Sequence, residues 1–262
     1  MAWLTAVSIA LSVLASLLLV PLVRKVARLC GMVDHPDSDR KLHAEPVALG
    51  GGLAVFLALM VAVLGTVWVD RQFLPALLGD MTSDWYVLLG AAAAMMLVGL
   101  VDDAWALRGR QKLLLQCLII AALVGSGTLI EKLSLLGLEF SLGMLAFPVT
   151  VVWLLLSVNA LNLIDGADGM ATTAGCIICA GLGFLSLRGD PSLSPVVAFA
   201  LAGALLGFLV YNRPPASIYL GDAGSMAIGL CVGVLAVWSS VKETTVLASA
   251  PVAILAIPLF DS

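Results

Sequence analysis

Residues 144–171 read MLAFPVTVVWLLLSVNALNLIDGADGMA, an apolar run that breaks into two Asn, two Asp and two Gly. The first half has the composition of a segment that leaves water for hydrocarbon. The second half crowds carboxamides and carboxylates at its mouth. A helix crossing about 30 Å of hydrocarbon takes about 20 apolar residues. Working outward, runs of this kind lie near 3–23, 47–69, 85–101, 113–130, 142–161, 170–187, 193–211, 223–241 and 246–260, the last being short. The 262 residues are 61% hydrophobic and 11% charged, with a mean hydropathy of +1.11. A soluble domain carries about 25% charged residues, so composition excludes a water-soluble globule. The sequence predicts an all-α polytopic membrane protein of about nine transmembrane helices, forming a single membrane-embedded domain over 1–262. In lipid each helix must satisfy its own backbone hydrogen bonds. The first run has no positively charged region before it and no small-residue cleavage site after it, so it reads as a helix and not a signal peptide.

Lysine and arginine in the connections set the orientation. If the loops alternate sides, Arg24, Lys25, Arg28, Arg40, Lys41, Arg108, Arg110, Lys112 and Arg213 fall on one side, and Arg71, Lys132, Arg188 and Lys242 on the other. The richer side is expected in the cytoplasm and the N-terminus outside. Cys30, Cys117, Cys176, Cys179 and Cys231 lie in or beside apolar runs and read as small packing residues, including the Cys176-x-x-Cys179 pair. Gly203-x-x-x-Gly207 and Gly229-x-x-x-Gly233 fit close helix–helix packing.

The unusual polar residues collect in four segments on the expected cytoplasmic side: VDHPDSDRKLHAEPVALGGG (33–52), VDDAWALRGRQK (101–112), NALNLIDGADG (159–169) and NRPPASIYLGDAGS (212–225). Asp102 and Asp103 end the third run. Negative charge at a helix C-terminus sits on the wrong end of the dipole, so Arg108, Arg110, Lys112 or a bound cation should compensate it. Asn159, Asn162, Asp165 and Asp168 are spaced by threes, so a continued helix would line them on roughly one face. Such oxygen donors suit a hard cation, Mg²⁺ above all, which is held by few side chains with waters and phosphates completing its octahedron. Asp222 stands between glycines at a helix start, where exposed N–H groups favour anions. Arg40, Lys41 and His43 precede Gly50–Gly52 and fit a phosphate or anionic-lipid contact; neither His35 nor His43 has a second soft ligand nearby. There is no GxxxxGK[ST] motif and no Ser-His or Cys-His nucleophile pair. Metal, cationic clamps and positioning are the parts of phosphoryl transfer. With one substrate from the cytosol, a lipid phosphate arriving through the bilayer is the natural acceptor. The competing class is an ion-coupled secondary transporter, but carriers place such groups near the midplane of broken helices, whereas these carboxylates fall at cytoplasmic ends.

The four segments, in this order at helix ends, resemble the polyprenyl-phosphate N-acetylhexosamine-1-phosphate transferases of the glycosyltransferase 4 group, which includes the WecA/TagO-type enzymes and the MraY-type translocases. The resemblance spans nearly the whole chain, and NLIDGADGMA with the RKxH segment lies nearer the WecA/TagO branch. It implies transfer of a sugar-1-phosphate, GlcNAc-1-phosphate by default, from a UDP-N-acetylhexosamine to undecaprenyl phosphate, releasing UMP. This would be the first membrane step of a bacterial envelope glycan pathway, in the inner membrane. It implies Mg²⁺, with Mn²⁺ as a substitute, held by Asn162 and Asp222. Asp102 and Asp103 match an aspartate pair that activates or orients the lipid phosphate. Lys112 would hold the acceptor phosphate. Asp165 and Asp168 would lie on the nucleotide-sugar side, Asp168 touching the donor, with Asn159, Arg40, Lys41 and His43 as further substrate contacts. No nucleic-acid partner is expected, and a homodimer is allowed. The chain stops at AIPLFDS, where the resemblance leads one to expect an Arg- and His-rich loop and further helices, so it reads as a fragment.

Overall fold

The computed structural model describes residues 2–34, 46–69, 84–135, 138–187 and 193–240. Within them the chain forms eight long helices: α1 Ala2–Leu29, α2 Gly51–Val69, α3 Asp84–Trp105, α4 Gly109–Gly125, α5 Ala146–Ile164, α6 Met170–Ser186, α7 Ser194–Asn212 and α8 Gly221–Ser240. Six stretches are long and apolar enough to cross a membrane: 3–29, 51–69, 85–105, 143–164, 194–212 and 221–239. The expectation of about nine spans is thus met in part, because α4 and α6 have only 17 residues each. The run at 246–260 lies outside the described residues, as do Arg40, Lys41 and His43. The chain is a multi-pass membrane protein.

The bundle is built around α8. Of its apolar window, 83% is buried, against 28% for α1, whose Leu14, Leu18, Leu22 and Val26 face outward in a stripe. Helices α2, α3, α5 and α6 all pack on α8, and α7 fills the other side of the core between α1, α2 and α6. Small residues permit these approaches, as dispersion packing in lipid demands. A Cβ on Gly207 would come 2.8 Å from Cβ of Ser16 on α1, and one on Gly229 would come 2.8 Å from Cα of Val158 on α5. Both Gly-x-x-x-Gly pairs therefore mark real helix contacts. Cys179 and Cys231 are buried packing residues, and Cys176 donates weakly to the Ala202 carbonyl (3.4 Å).

Two small antiparallel ribbons accompany the helices. Strands β1 (Val33–Asp34) and β2 (Val47–Ala48) bracket the undescribed 35–45 segment, and β3 (Lys132–Leu135) pairs with β4 (Leu138–Ser141). The first ribbon continues toward α8, since Ala48 bridges Ile218 and accepts from the Tyr219 N–H (2.8 Å). Gly51 and Gly52 donate to the Tyr219 and Leu220 carbonyls (both 2.9 Å), and a Cβ on Gly51 would lie 2.6 Å from the Tyr219 oxygen. The glycines that open α2 thereby let its N-terminus lie against the segment leading into α8. At the end of α7, the Asn212 carboxamide donates to the Ile218 carbonyl (3.0 Å) and accepts from Thr172 Oγ1 (2.6 Å), clasping the same segment from the other side. The start of α8 is thus fixed by three elements before any charged side chain is considered.

Candidate active site

The first turn of α8 is where the polar ends meet. Gly221 enters it at φ +74°, a left-handed conformation that glycine adopts freely. A Cβ there would come 2.7 Å from Asp103 Oδ2. That approach lets Asp103 cap the helix from α3: its Oδ1 accepts from the Asp222 N–H (2.9 Å) and its Oδ2 from the Ala223 N–H (3.2 Å). Two of the orphan donors at the start of α8 are satisfied, and a carboxylate sits at the positive end of the dipole. The unfavourable placement of Asp103 at the end of α3 is resolved by its favourable placement at the start of α8.

Asp102 turns differently. Its Oδ1 accepts from the Leu107 N–H (2.7 Å), closing the turn that carries Ala106 at φ +49°. Its Oδ2 pairs with Lys112 Nζ at 2.7 Å. The turn brings α4 back beside α3, so Lys112 in its first turn reaches Asp102, Asp222 Oδ2 (2.7 Å) and Asn162 Oδ1 (3.4 Å) together. Lys112 therefore supplies the compensating cation expected at the end of α3, while Arg108 and Arg110 are exposed. Burial alone would lower the Lys112 pKa, but its bonds to Asp102 and Asp222, and their charges, outweigh that and hold it above the ordinary lysine value.

From α5, Asn162 Nδ2 donates to Asp222 Oδ1 and to Ser225 Oγ, the latter at 2.8 Å. Helix α5 ends at Ile164, one residue before Asp165, and α6 starts only at Met170. The expectation of one continuous face for Asn159, Asn162, Asp165 and Asp168 is thus corrected. Gly166 and the left-handed Gly169 (φ +74°) let the chain turn, carrying Asp168 away from the first turn of α8, where Asn162 and Asp165 remain. Asp165 stays at the site, beside the Gly221 backbone and the Asp222 and Asp103 carboxylates. Burial first, then the charges of Asp222 and Asp103, push its carboxyl up to about 8. Asp168 accepts from the Ala216 N–H (2.9 Å) and ties the 213–217 loop down. Asn159 lies nearly one turn before Asn162, is exposed, and donates to Gln116 Oε1 (3.0 Å) and to the Leu155 carbonyl (2.8 Å).

The structure thus brings together Asp102, Asp103, Lys112, Asn162, Asp165 and Asp222. Two participants escaped the sequence reading. Ser225 sits in the quoted YLGDAGS segment, and its signal is a serine one turn into a helix whose N-terminus carries an aspartate. Gln116 is fully buried, with Nε2 unpartnered among the described residues, and lies one turn after Lys112 on the same face of α4. A glutamine inside an otherwise apolar helix four residues from a lysine was the available sign. Among the described residues, no three His, Cys, Asp or Glu side chains are grouped as a metal centre. What converges is two carboxylate oxygens and one carboxamide oxygen on one ammonium.

Residues 85–240 match the model of glycosyl transferase family 4. A probable undecaprenyl-phosphate N-acetylglucosaminyl 1-phosphate transferase of Bacillus subtilis (strain 168) is 31% identical over 260 residues, 98% of this chain and 69% of that protein. A decaprenyl-phosphate N-acetylglucosaminephosphotransferase of Mycobacterium tuberculosis (strain CDC 1551 / Oshkosh) is 34% identical over 233 residues, covering 79% of this chain and 54% of that one. A phospho-N-acetylmuramoyl-pentapeptide-transferase of Synechococcus sp. (strain CC9605) is 39% identical over 164 residues, 56% of this chain and 47% of its own. The chain thus spans about two thirds of the Bacillus protein's length and about half that of the other two. The family match covers Asp102, Asp103, Lys112, Asn162, Asp165 and Asp222, and the chain belongs to glycosyl transferase family 4.

Proposed function

We propose that this chain carries the transfer of a sugar-1-phosphate, GlcNAc-1-phosphate first, from a UDP-N-acetylhexosamine to undecaprenyl phosphate, giving a lipid-linked pyrophosphate sugar and UMP. The Bacillus and Mycobacterium relatives, both named for polyprenyl-phosphate GlcNAc-1-phosphate transfer, support the donor and the acceptor. The observation that carries the reading is the meeting of Asp102, Asp222 and Asn162 oxygens on Lys112 Nζ at the polar ends of apolar helices. The relatives lend no support to an ion-coupled carrier.

The donor set fits Mg²⁺. Its three side-chain oxygens are hard, they already surround a cation, and only two are carboxylates. That leaves room for the waters and phosphates with which Mg²⁺ completes its shell. Asn162 and Asp222 would hold the ion, with Asp102 alongside. Bound there, Mg²⁺ supplies charge neutralisation along the donor pyrophosphate. The chain's own groups supply position. Asp103 holds the first turn of α8, and with it Asp222, in place. Asp102 sets the α3–α4 turn and steers Lys112, whose ammonium is the natural clamp for the acceptor phosphate. An acceptor oxygen then forms a bond to the sugar-bearing phosphorus as the bond to UMP breaks, UMP leaving with the electron pair. A phosphate monoester is largely ionised near pH 7, its second pKa being about 6, so no protein base is required. Both oxygens of Asp103 accept from backbone N–H groups, and those of Asp102 serve Leu107 and Lys112. These commitments favour a single displacement over an aspartyl intermediate. The site would open to the cytoplasm, where nucleotide sugars are made, in a bacterial inner membrane with the N-terminus outside.

The test is UMP release by the full-length gene product in membranes or nanodiscs with Mg²⁺, undecaprenyl phosphate and a panel of UDP-sugars. Lipid-dependent UMP from UDP-GlcNAc is expected. Folded protein releasing no lipid-dependent UMP from any UDP-N-acetylhexosamine would overturn the reading.

A further inference from the structure

We infer that Ser225 is a positioning residue that fixes the carboxamide of Asn162 so that its oxygen, not its nitrogen, faces the cation position. The inference rests on the metal-binding part of the proposed function. A carboxamide has two ends of nearly equal size, and only its hydrogen-bond network decides which points where. Asn162 has one partner for each hydrogen of Nδ2. One is Asp222 Oδ1, which can only accept; the other is Ser225 Oγ at 2.8 Å. Ser225 is fully buried, and its own hydroxyl hydrogen goes to the Gly221 carbonyl one turn back (3.1 Å). With its hydrogen spent there, Ser225 Oγ offers Asn162 lone pairs alone. The direction of the whole chain, from Asn162 to Ser225 to Gly221, is therefore set by a backbone carbonyl that cannot reverse.

The consequence falls on the far side of the amide. With Nδ2 held between Ser225 and Asp222, Oδ1 is turned to Lys112 Nζ, 3.4 Å away. In the flipped amide, Oδ1 would face the Asp222 carboxylate and the serine lone pairs, and Nδ2 would face the cation. Asp222 alone resists this weakly, since its carboxylate is also the group a metal ion draws toward itself. Ser225 makes no contact with the cation position, so it acts through Asn162. Groups that orient a metal ligand typically change metal affinity about 10- to 100-fold when removed.

Mn²⁺ binding, monitored by the electron paramagnetic resonance signal of the free ion, tests this without turnover. The wild-type chain should bind Mn²⁺, and Ser225→Ala should weaken binding about tenfold, with Ser225→Thr, which keeps the hydroxyl, restoring part of it. In an Asn162→Ala background, where no amide remains to orient, Ser225→Ala should cause less than about a twofold further change, as expected for a residue acting only through its partner. Wild-type Mn²⁺ binding with Ser225→Ala unchanged would overturn the inference and leave the proposed function standing, as would an equal loss in both backgrounds. A wild-type chain that binds no Mn²⁺ would overturn the metal site itself and the inference with it.

Discussion

The α3–α4 turn and the α5–α6 turn each carry two carboxylates at the end of an apolar helix, and they use them differently. Asp102 and Asp103 both turn toward the first turn of α8, one to its backbone and one to the lysine that faces it. Of the second pair, Asp165 joins them, while Asp168 is spent on the Ala216 N–H. The difference lies in the path of the backbone beyond each pair. After Asp103 the chain closes a tight turn and re-enters the bundle beside α3. After Asp165 two glycines carry it around toward α7. Position at a helix mouth thus brings a carboxylate to the boundary, and the local turn decides whether it meets α8.

The sharpest test of this division is Asp222, the one carboxylate on α8 itself. Asp222→Asn keeps the shape of the side chain and the backbone N–H that Asp103 caps, so the fold should persist. Loss of the charge should lower UMP release on the order of 100- to 1,000-fold, the range found when a group stabilising transition-state charge is removed. Retention of activity within a few-fold would detach the α8 turn from the chemistry. Lys112→Ala should act next most strongly and differently. Losing a charge-assisted bond to the acceptor phosphate is worth about 1.5–3 kcal/mol, or about 10- to 100-fold. It should fall mainly on the KM for undecaprenyl phosphate. An unchanged lipid requirement would remove Lys112 from the acceptor side.

Much of this architecture is written in the chain, though not its details. Spans were legible because a lipid-crossing helix needs length and apolarity, which is a property of composition. Their ends were less so. Helix α1 runs through Arg24, Lys25 and Arg28 to Leu29, because charged residues leave the hydrocarbon without leaving the helix. The β3–β4 ribbon lies where only a connection between spans was expected, although KLSL and LEFS alternate in polarity. At the site, residue types announce the chemistry, but the partners come from four separate helices, α3, α4, α5 and α8. The spacing by threes from Asn159 to Asp168 misled because it assumed that the helix continued past Ile164. Ser225 was hidden because a serine near a helix start has many uses, and its partner is 63 residues earlier.

A pH experiment probes the electrostatic side of the comparison. Asp165 is held at about 8 when folded, above its ordinary value of 3.8. Folding then takes up a proton at this group between those values. The contribution of this group to stability should fall as pH rises from about 4 to about 8 and level off beyond, in step with the difference in bound protons. Asp165→Asn should flatten that slope in thermal unfolding recorded with a chelator present. A slope unchanged by the substitution would place the proton elsewhere.

Asp168 should give the smallest effect, and it separates two roles for one carboxylate. If its work is to anchor the 213–217 loop, the acceptor oxygen matters and the charge does not. Asp168→Asn keeps an oxygen for the Ala216 N–H and should cost little stability. Asp168→Ala leaves that donor unpaired and should destabilise the chain by about 1 kcal/mol, lowering its midpoint of thermal unfolding. Both variants should alter turnover far less than Asp222→Asn does. The informative break is Asp168→Asn folding normally yet losing activity as severely as the α8 variant. The negative charge would then reach the donor, and the α5–α6 turn would contribute two carboxylates to the reaction, as the α3–α4 turn does.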